Sequence, residues 1–164
     1  MSKLLIVGAG DHGYVVKEIA QDVGCYEKID FVDDRSKEAI GTISDLENLN
    51  KEYDSAFASI GNNELRSQIV DELKRIGYDI PVLIHPSAYV SKSCVLGVAT
   101  VIEPNAVVNS NSYIGEGCII SVGAVVDHNA TVGDFCQIDA GAVVCSGKRV
   151  ESKTKINAGC VVKK

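Results

Sequence analysis

IEPNAVVNSNSYIGEGCIISVGAVVDHNATVGDFCQIDAGAVV, residues 102–144, repeats every six residues. Each block opens on an aliphatic residue: Ile102, Val108, Ile114, Ile120, Val126, Val132, Ile138, Val144. The period extends back to Ile84, Val90 and Leu96 and forward to Val150, Ile156 and Val162. Four places into the blocks stand small residues (Ala88, Cys94, Thr100, Ala106, Ser112, Cys118, Ala124, Ala130, Cys136, Ala142, Thr154, Cys160), with Lys148 the exception. A short fixed period marks a solenoid. Three blocks make one eighteen-residue turn of a triangular coil, so residues one coil apart stack at about 4.8 Å. The aliphatic openings then point inward as columns that each coil shares with the next. The coils run 84–101, 102–119, 120–137 and 138–155, with half a coil beyond. Residues 83–164 are thus expected to form a parallel β-helix of about four and a half coils.

Cys94, Cys118, Cys136 and Cys160 occupy the small position, where a compact apolar side chain suits a tight corner. No CxxC pair is present, so neither a disulfide framework nor a zinc site is expected. Cys118 and Cys136 lie one coil apart, but parallel side chains in a reducing compartment should remain thiols. The histidines at 12, 85 and 128 are too scattered for a metal centre.

With 164 residues, 46% hydrophobic, the chain can build a core. A net charge of −6 argues against a nucleic-acid partner, because phosphates are neutralised by Lys and Arg. The N-terminus, MSKLLIVGAGDHG, lacks the apolar region and cleavage site of a signal peptide. No apolar run is long enough to span a bilayer. A cytoplasmic protein without membrane partners is expected.

Residues 1–82 read differently. The apolar run KLLIVG ends in Gly-Ala-Gly-Asp-His-Gly (Gly8 to Gly13), and an apolar-periodic segment follows (Val15, Val16, Ile19, Ala20). A second strand, Ile29 to Val32, ends on Asp33-Asp34, twenty residues past Gly13. That is the spacing of a Rossmann-like βαβ unit, in which glycines admit a phosphate to a helix N-terminus and an acid takes a ribose hydroxyl. A third strand over 55–60 runs into Gly61-Asn62 and a helix from Glu64 to Ile76, with Leu65, Ile69, Val70 and Leu73 on one face and Gly77 as its cap. A short helix is expected from Ser44. In a parallel sheet these turns share one edge, so Gly8, Gly10, Asp11, His12, Gly13, Asp33, Asp34, Gly61 and Asn62 can converge on one ligand. Eighty-odd residues leave room for one mononucleotide half, which disfavours a dinucleotide. His12 either reaches a phosphate or sugar, or caps the first helix.

GAGDHG, the Asp33-Asp34 pair, IGNNxxR (Ile60 to Arg66), Ile-His-Pro (Ile84 to Pro86) and VVDHN (Val125 to Asn129) within an unbroken hexapeptide repeat together resemble one family. It is the hexapeptide-repeat sugar acetyltransferases, comprising nucleotide 4-amino-sugar N-acetyltransferases and sialic acid O-acetyltransferases. The resemblance covers nearly the whole chain. It implies a left-handed β-helix, a homotrimer, acetyl-CoA as cosubstrate between neighbouring prisms, and a nucleotide sugar held by the N-terminal domain. The resembling proteins usually continue for more coils and a C-terminal lid, so this coil is expected to be shortened, with Lys163 and Lys164 discouraging edge pairing.

Acetyl transfer needs a base, donors for an oxyanion and two substrates held together. His85 sits at the entry to the coil and reads as a hinge residue. His128 stands third in VDHNAT, on an outward position, between Asp127 and Asn129. The resemblance makes it the general base, with the sugar aimed at it from a neighbouring subunit. The family's following residue is commonly acidic; Asn129 can still accept a hydrogen bond. Ser121 replaces a common Asn, and Gln137 a common second His. For acetyl-CoA the candidates are Gln137, Ser146, Gly147, Ala158 and Gly159, where small residues suit either a pantetheine arm or tight corners. The leading expectation is direct acetylation of the amino group of a nucleotide-linked sugar. The alternatives are O-acetylation of a sugar acid such as sialic acid, and a non-catalytic trimeric nucleotide-binding scaffold.

Overall fold

The computed structural model describes residues 2–163, and the edge-protecting role of Lys164 lies outside them. The chain divides between Pro81 and Val82 into two compact units.

The first unit is a three-stranded parallel sheet flanked by helices. Its elements are β1 (Ser2–Val7), α1 (Asp11–Val23), β2 (Tyr26–Val32), a 3₁₀ turn (Ile43–Asp45) running into α2 (Leu46–Leu49), β3 (Ser55–Ala58) and α3 (Asn63–Ile76). Strand order is β2-β1-β3. The central strand is buried on both faces, with Leu4, Leu5, Ile6 and Val7 all at 0% exposure, which is why it reads as an unbroken apolar run. Helix α1 packs Val16, Ile19 and Ala20 inward and leaves Val15 exposed.

Helix α3 departs from the expected face. Leu65 is exposed and Arg66 is buried, at 1% exposure. Arg66, Ile69, Val70 and Leu73 are related by three, four and seven positions, the true helical stripe. Apolarity favoured Leu65, but geometry placed Arg66 inside. The guanidinium is accommodated because it turns back on the loop before the helix: Nη1 donates to the Ile60 carbonyl at 2.7 Å, and Nη2 to Asn63 Oδ1 at 2.7 Å. Asn62 caps the helix, accepting from the Leu65 amide at 2.9 Å, and Gly77 ends it in the left-handed conformation.

The second unit is the coil. Two-residue strands from Leu83–Ile84 to Val161–Val162 stack into three parallel sheets of five, five and four strands. Partners are one coil apart, as in Ile120↔Ile102 and Ile120↔Ile138. The openings from Ile102 to Val150 form one buried cluster, with Ile84, Val90, Leu96, Ile156 and Val162 partly buried at its ends.

From the block opening at Leu96 to the one opening at Ile156, each corner holds one left-handed residue: Ala99, Asn105, Asn111, Asn129, Phe135 and Lys153 have φ between 54° and 60°, and Gly117, Gly123, Gly141, Gly147 and Gly159 occupy the same place in the other blocks. Asn adopts this conformation more readily than most side chains, and glycine does so without strain. At another corner, a β-carbon on Gly97, Gly115 or Gly133 would collide with the next coil.

The small position does more than save space. Side chains there donate to a carbonyl fifteen residues on: Cys94 Sγ to Asn109 (2.9 Å), Thr100 Oγ1 to Gly115 (2.9 Å), Ser112 Oγ to Asp127 (2.8 Å), Cys118 Sγ to Gly133 (3.1 Å) and Cys136 Sγ to Glu151 (3.0 Å). The reading of these cysteines as compact hydrophobes is therefore incomplete. Cys118 and Cys136 are fully buried thiols whose S–H occupies the place of a hydroxyl, whereas Cys160 is exposed.

Among the described residues no helix is long and apolar enough to cross a membrane, and no group of three or more His, Cys, Asp or Glu gathers as a metal site.

Candidate functional site

Val7, Val32 and Ala58 share one register at the ends of β1, β2 and β3, so the turns that follow lie side by side. They are tied to one another. The Ala9 amide donates to Asp33 Oδ2 at 2.9 Å, and the Arg35 and Ser36 amides donate to Asp33 Oδ1. Ser59 Oγ donates to the carbonyls of Gly8 (2.7 Å) and Val7 (3.0 Å). Gly13 lies against the same turn: a β-carbon there would run into the Gly8 carbonyl oxygen, so the first turn of α1 can approach β1 only with glycine at this place.

Asp33 is thus a strut for the glycine turn. Its amide donors, Ala9 first, hold its carboxyl below the usual range. Asp34 Oδ1 accepts from the Ile43 amide at 2.9 Å. Gly10 is the N-cap of α1, with no side-chain cap hydrogen bond, and His12 stands in the first helical turn. Asp11 lies in the first helical turn, where its charge suits the dipole. Gly61 bears a carbonyl that faces Arg66 Nη1 at 3.3 Å. Asn62 Oδ1 is engaged as a cap, which leaves its amide nitrogen as its available donor. Ser59 and Arg66 carry much of this arrangement; Ser59 was not singled out from sequence, and Arg66 entered only as the end of the IGNNxxR motif.

Burial, with the Arg66 guanidinium adding to it, pulls the His12 imidazole down from 6.5 to about 4. A folded value below the unfolded one means that the unfolded chain binds the extra proton between those two values. Stability therefore falls as pH drops from about 6.5 to about 4. The loss reaches on the order of 3 kcal/mol, less where solvent touches the ring. Urea denaturation of wild type and His12→Gln at pH 7 and pH 4.5 should show a wild-type decline that the variant lacks. Parallel declines would remove His12 as the cause.

In the coil, the corner between the strands at 125–126 and 131–132 presents Asp127, His128 and Asn129. His128 is half-exposed and its Nδ1 lies 2.9 Å from Asp127 Oδ1. The same oxygen accepts from the His128 amide (2.7 Å) and from Asn109 Nδ2 (3.0 Å), one coil earlier. These donors, the amide first, hold the Asp127 carboxyl below its usual range. A carboxylate only accepts, so Nδ1 carries the proton and Nε2 keeps its lone pair. The corner can therefore take up a proton at Nε2.

The ring contact is made by Asp127 and not by Asn129. Asn129 is the left-handed corner residue at φ 57°, and its amide donates to the Ser110 carbonyl at 2.9 Å. Asp127 does the orienting. Asn109, which sequence reasoning missed, stands eighteen residues before Asp127 and was within reach of the repeat arithmetic.

The coenzyme candidates separate. Ser146 and Gly147 lie one coil beyond His128 on the same corner, and the Gly147 amide donates to the His128 carbonyl at 3.1 Å. Ala158 and Gly159 lie at the corner on the other side of the sheet that carries Val143 and Val161. Gln137 belongs to a different sheet, and Ser121 is buried at 5% exposure.

A Rossmann-like unit joined to a left-handed hexapeptide β-helix defines a class of two-unit sugar-modifying proteins. The PglD N-terminal domain family matches residues 3–73. The acetyltransferase domain of PglB from Neisseria gonorrhoeae FA1090 is 34% identical, with a TM-score of 0.91 over 99% of this chain and 92% of that one. Its complex with acetyl coenzyme A gives 33% identity and 0.88 over 98% and 92%. A histidine-to-asparagine mutant of perosamine N-acetyltransferase from Caulobacter crescentus, in complex with CoA and GDP-perosamine, is 28% identical with a TM-score of 0.89 over 100% and 90%. UDP-N-acetylbacillosamine N-acetyltransferase of Bacillus subtilis (strain 168) is 33% identical over 111 residues, 62% of this chain. The match spans about half of that curated relative, 51%. The chain belongs to the hexapeptide-repeat sugar N-acetyltransferase family.

Proposed function

We propose that the chain transfers the acetyl group of acetyl-CoA directly to the amino group of a nucleotide-linked amino sugar. The observation that carries this reading is the half-exposed His128 with Nδ1 fixed on Asp127. Nε2 accepts a proton from the amine as its nitrogen bonds to the thioester carbonyl carbon. The tetrahedral intermediate then collapses, the C–S bond breaks, and the coenzyme leaves as a thiolate that takes the proton back. No covalent enzyme intermediate is required. General-base assistance of this kind contributes about 10²- to 10⁴-fold.

The tied turns at Gly8 to Gly13, Asp33-Asp34 and Gly61-Asn62 hold the nucleotide, with phosphate at the start of α1. Ser146 and Gly147 are the coenzyme candidates that share a corner with His128. A homotrimer is supported by apolar side chains left exposed on the coil, Tyr89, Val95, Val98, Tyr113, Val122 and Val161. The relatives support the substrates: one was solved with acetyl coenzyme A, another with CoA and GDP-perosamine.

The test is thermal shift and mass spectrometry with acetyl-CoA plus GDP-perosamine, a UDP-linked 4-amino sugar, or sialic acid. A ligand that binds only the folded state at a hundred times its Kd adds about 2.7 kcal/mol. Acetyl-CoA and one nucleotide sugar should each raise the melting temperature, and the sugar nitrogen should gain an acetyl group. Stabilisation by sialic acid alone favours O-acetylation, and no coenzyme binding favours a scaffold.

A further inference from the structure

We infer that Asn109 is a positioning residue for His128, acting through Asp127 across the gap between two coils. The inference rests on the proposed acetyl transfer for its catalytic meaning, and on geometry alone for the ring state. Asn109 Oδ1 accepts from the Ser110 amide at 2.8 Å. That bond fixes which way the amide faces, so the group 3.0 Å from Asp127 Oδ1 is the Nδ2 donor. Its backbone is held as well: the Asn109 amide donates to the Val126 carbonyl at 2.8 Å, and its carbonyl accepts Cys94 Sγ.

Asp127 Oδ1 thereby receives three donors, two from His128 and one from outside its own turn. The two from His128 move with the ring and its backbone. Asn109 is the contact that ties the carboxylate to a neighbouring coil, and so sets where the ring nitrogen finds its acceptor. Without it the carboxylate can turn about its own side chain, and the imidazole loses the bond that keeps its proton on Nδ1. Among the described residues, the other titratable groups along this corner, by coil register, are Lys92, Cys94, Cys145, Lys148 and Lys163.

Asn109→Asp is the informative variant. It keeps the shape and an oxygen for the Ser110 amide, but replaces the donor with an acceptor facing a carboxylate. Asn109→Ala removes both bonds. The experiment combines ¹⁵N spectra of the His128 ring with steady-state kinetics on the full chain, using acetyl-CoA and the nucleotide sugar that the wild type acetylates.

Wild type should show Nδ1 protonated and Nε2 bare, and both variants should lose that preference. Both should lose about tenfold in kcat with KM for each substrate within about twofold. The ratio of Asn109→Asp to wild-type kcat should rise as pH falls, because the introduced carboxyl then carries a proton that it can donate to Asp127. Wild-type ring spectra and kcat in both variants would overturn the proposal. So would a fall in kcat that tracks melting temperature while the ring spectrum stays unchanged, since that assigns Asn109 a purely structural role. Near-normal turnover by His128→Ala would instead refute the proposed function, and the ring spectra would still decide the role of Asn109.

Discussion

Replacing His128 by alanine is expected to lower kcat roughly a thousandfold, within the range that a general base supplies. The ring is half-exposed and packs into no core, so the melting temperature should barely move. Binding of the nucleotide sugar, measured by calorimetry, should persist, because its candidate residues lie in the first unit. The combination is diagnostic. A lost base removes stabilisation of the transition state without removing ground-state affinity, so kcat falls and KM does not. Turnover close to wild type would mean that the amine loses its proton to solvent or to another group, and the corner built by Asp127 and Asn109 would have no chemical role.

Ile120→Asp is expected to abolish folding of the coil. Ile120 is fully buried, between Ile102 and Ile138. The substitution forfeits about 2 to 3 kcal/mol of apolar burial and leaves a carboxylate without a partner, whose penalty is several kcal/mol more. Together these approach the stability of a typical domain, about 5 to 15 kcal/mol. A solenoid offers no detour, since each column is continuous through every coil. Lys92→Asp, at an exposed corner, should leave the melt nearly unchanged. Circular dichroism and recovery of soluble protein compare the two. A soluble Ile120→Asp protein with an unaltered melt would refute the inward columns.

The coil was legible because its signal is additive: an aliphatic opening every six residues from Ile84 to Val162 leaves one consistent way to place the side chains. The edge of the small sheet was legible from glycine and acid spacing. Leu65 and Arg66 show where such reading stops. A buried arginine is tolerable only if carbonyls are aimed at it, and the Ile60 carbonyl that receives it is fixed by the path of the loop. Ser59 escaped notice for the same reason, as its hydroxyl answers backbone atoms of Val7 and Gly8.

At the candidate site His128 stood out as the one histidine inside the body of the repeat. Asn129 can accept a hydrogen bond, but its place is set by conformation. Asn105 and Asn111 occupy the same place in their blocks, which marks a left-handed corner. The residue that does hold Asp127 lay one coil away, invisible to motif reading but a single addition of eighteen from it.

The tethers among the turns after β1, β2 and β3 bear on how fast and how tightly a phosphate could be captured. Ordering a backbone residue costs roughly 1 to 2 kcal/mol, and a loop that must be frozen by its ligand subtracts that from every complex it forms. Here Asp33, Ser59 and Arg66 have already spent that entropy within the fold itself. A ligand bound as proposed at Gly8 to Gly13 would meet a receptor already tied in place, so affinity would be preserved by preorganisation and encounter would not wait for a loop to close.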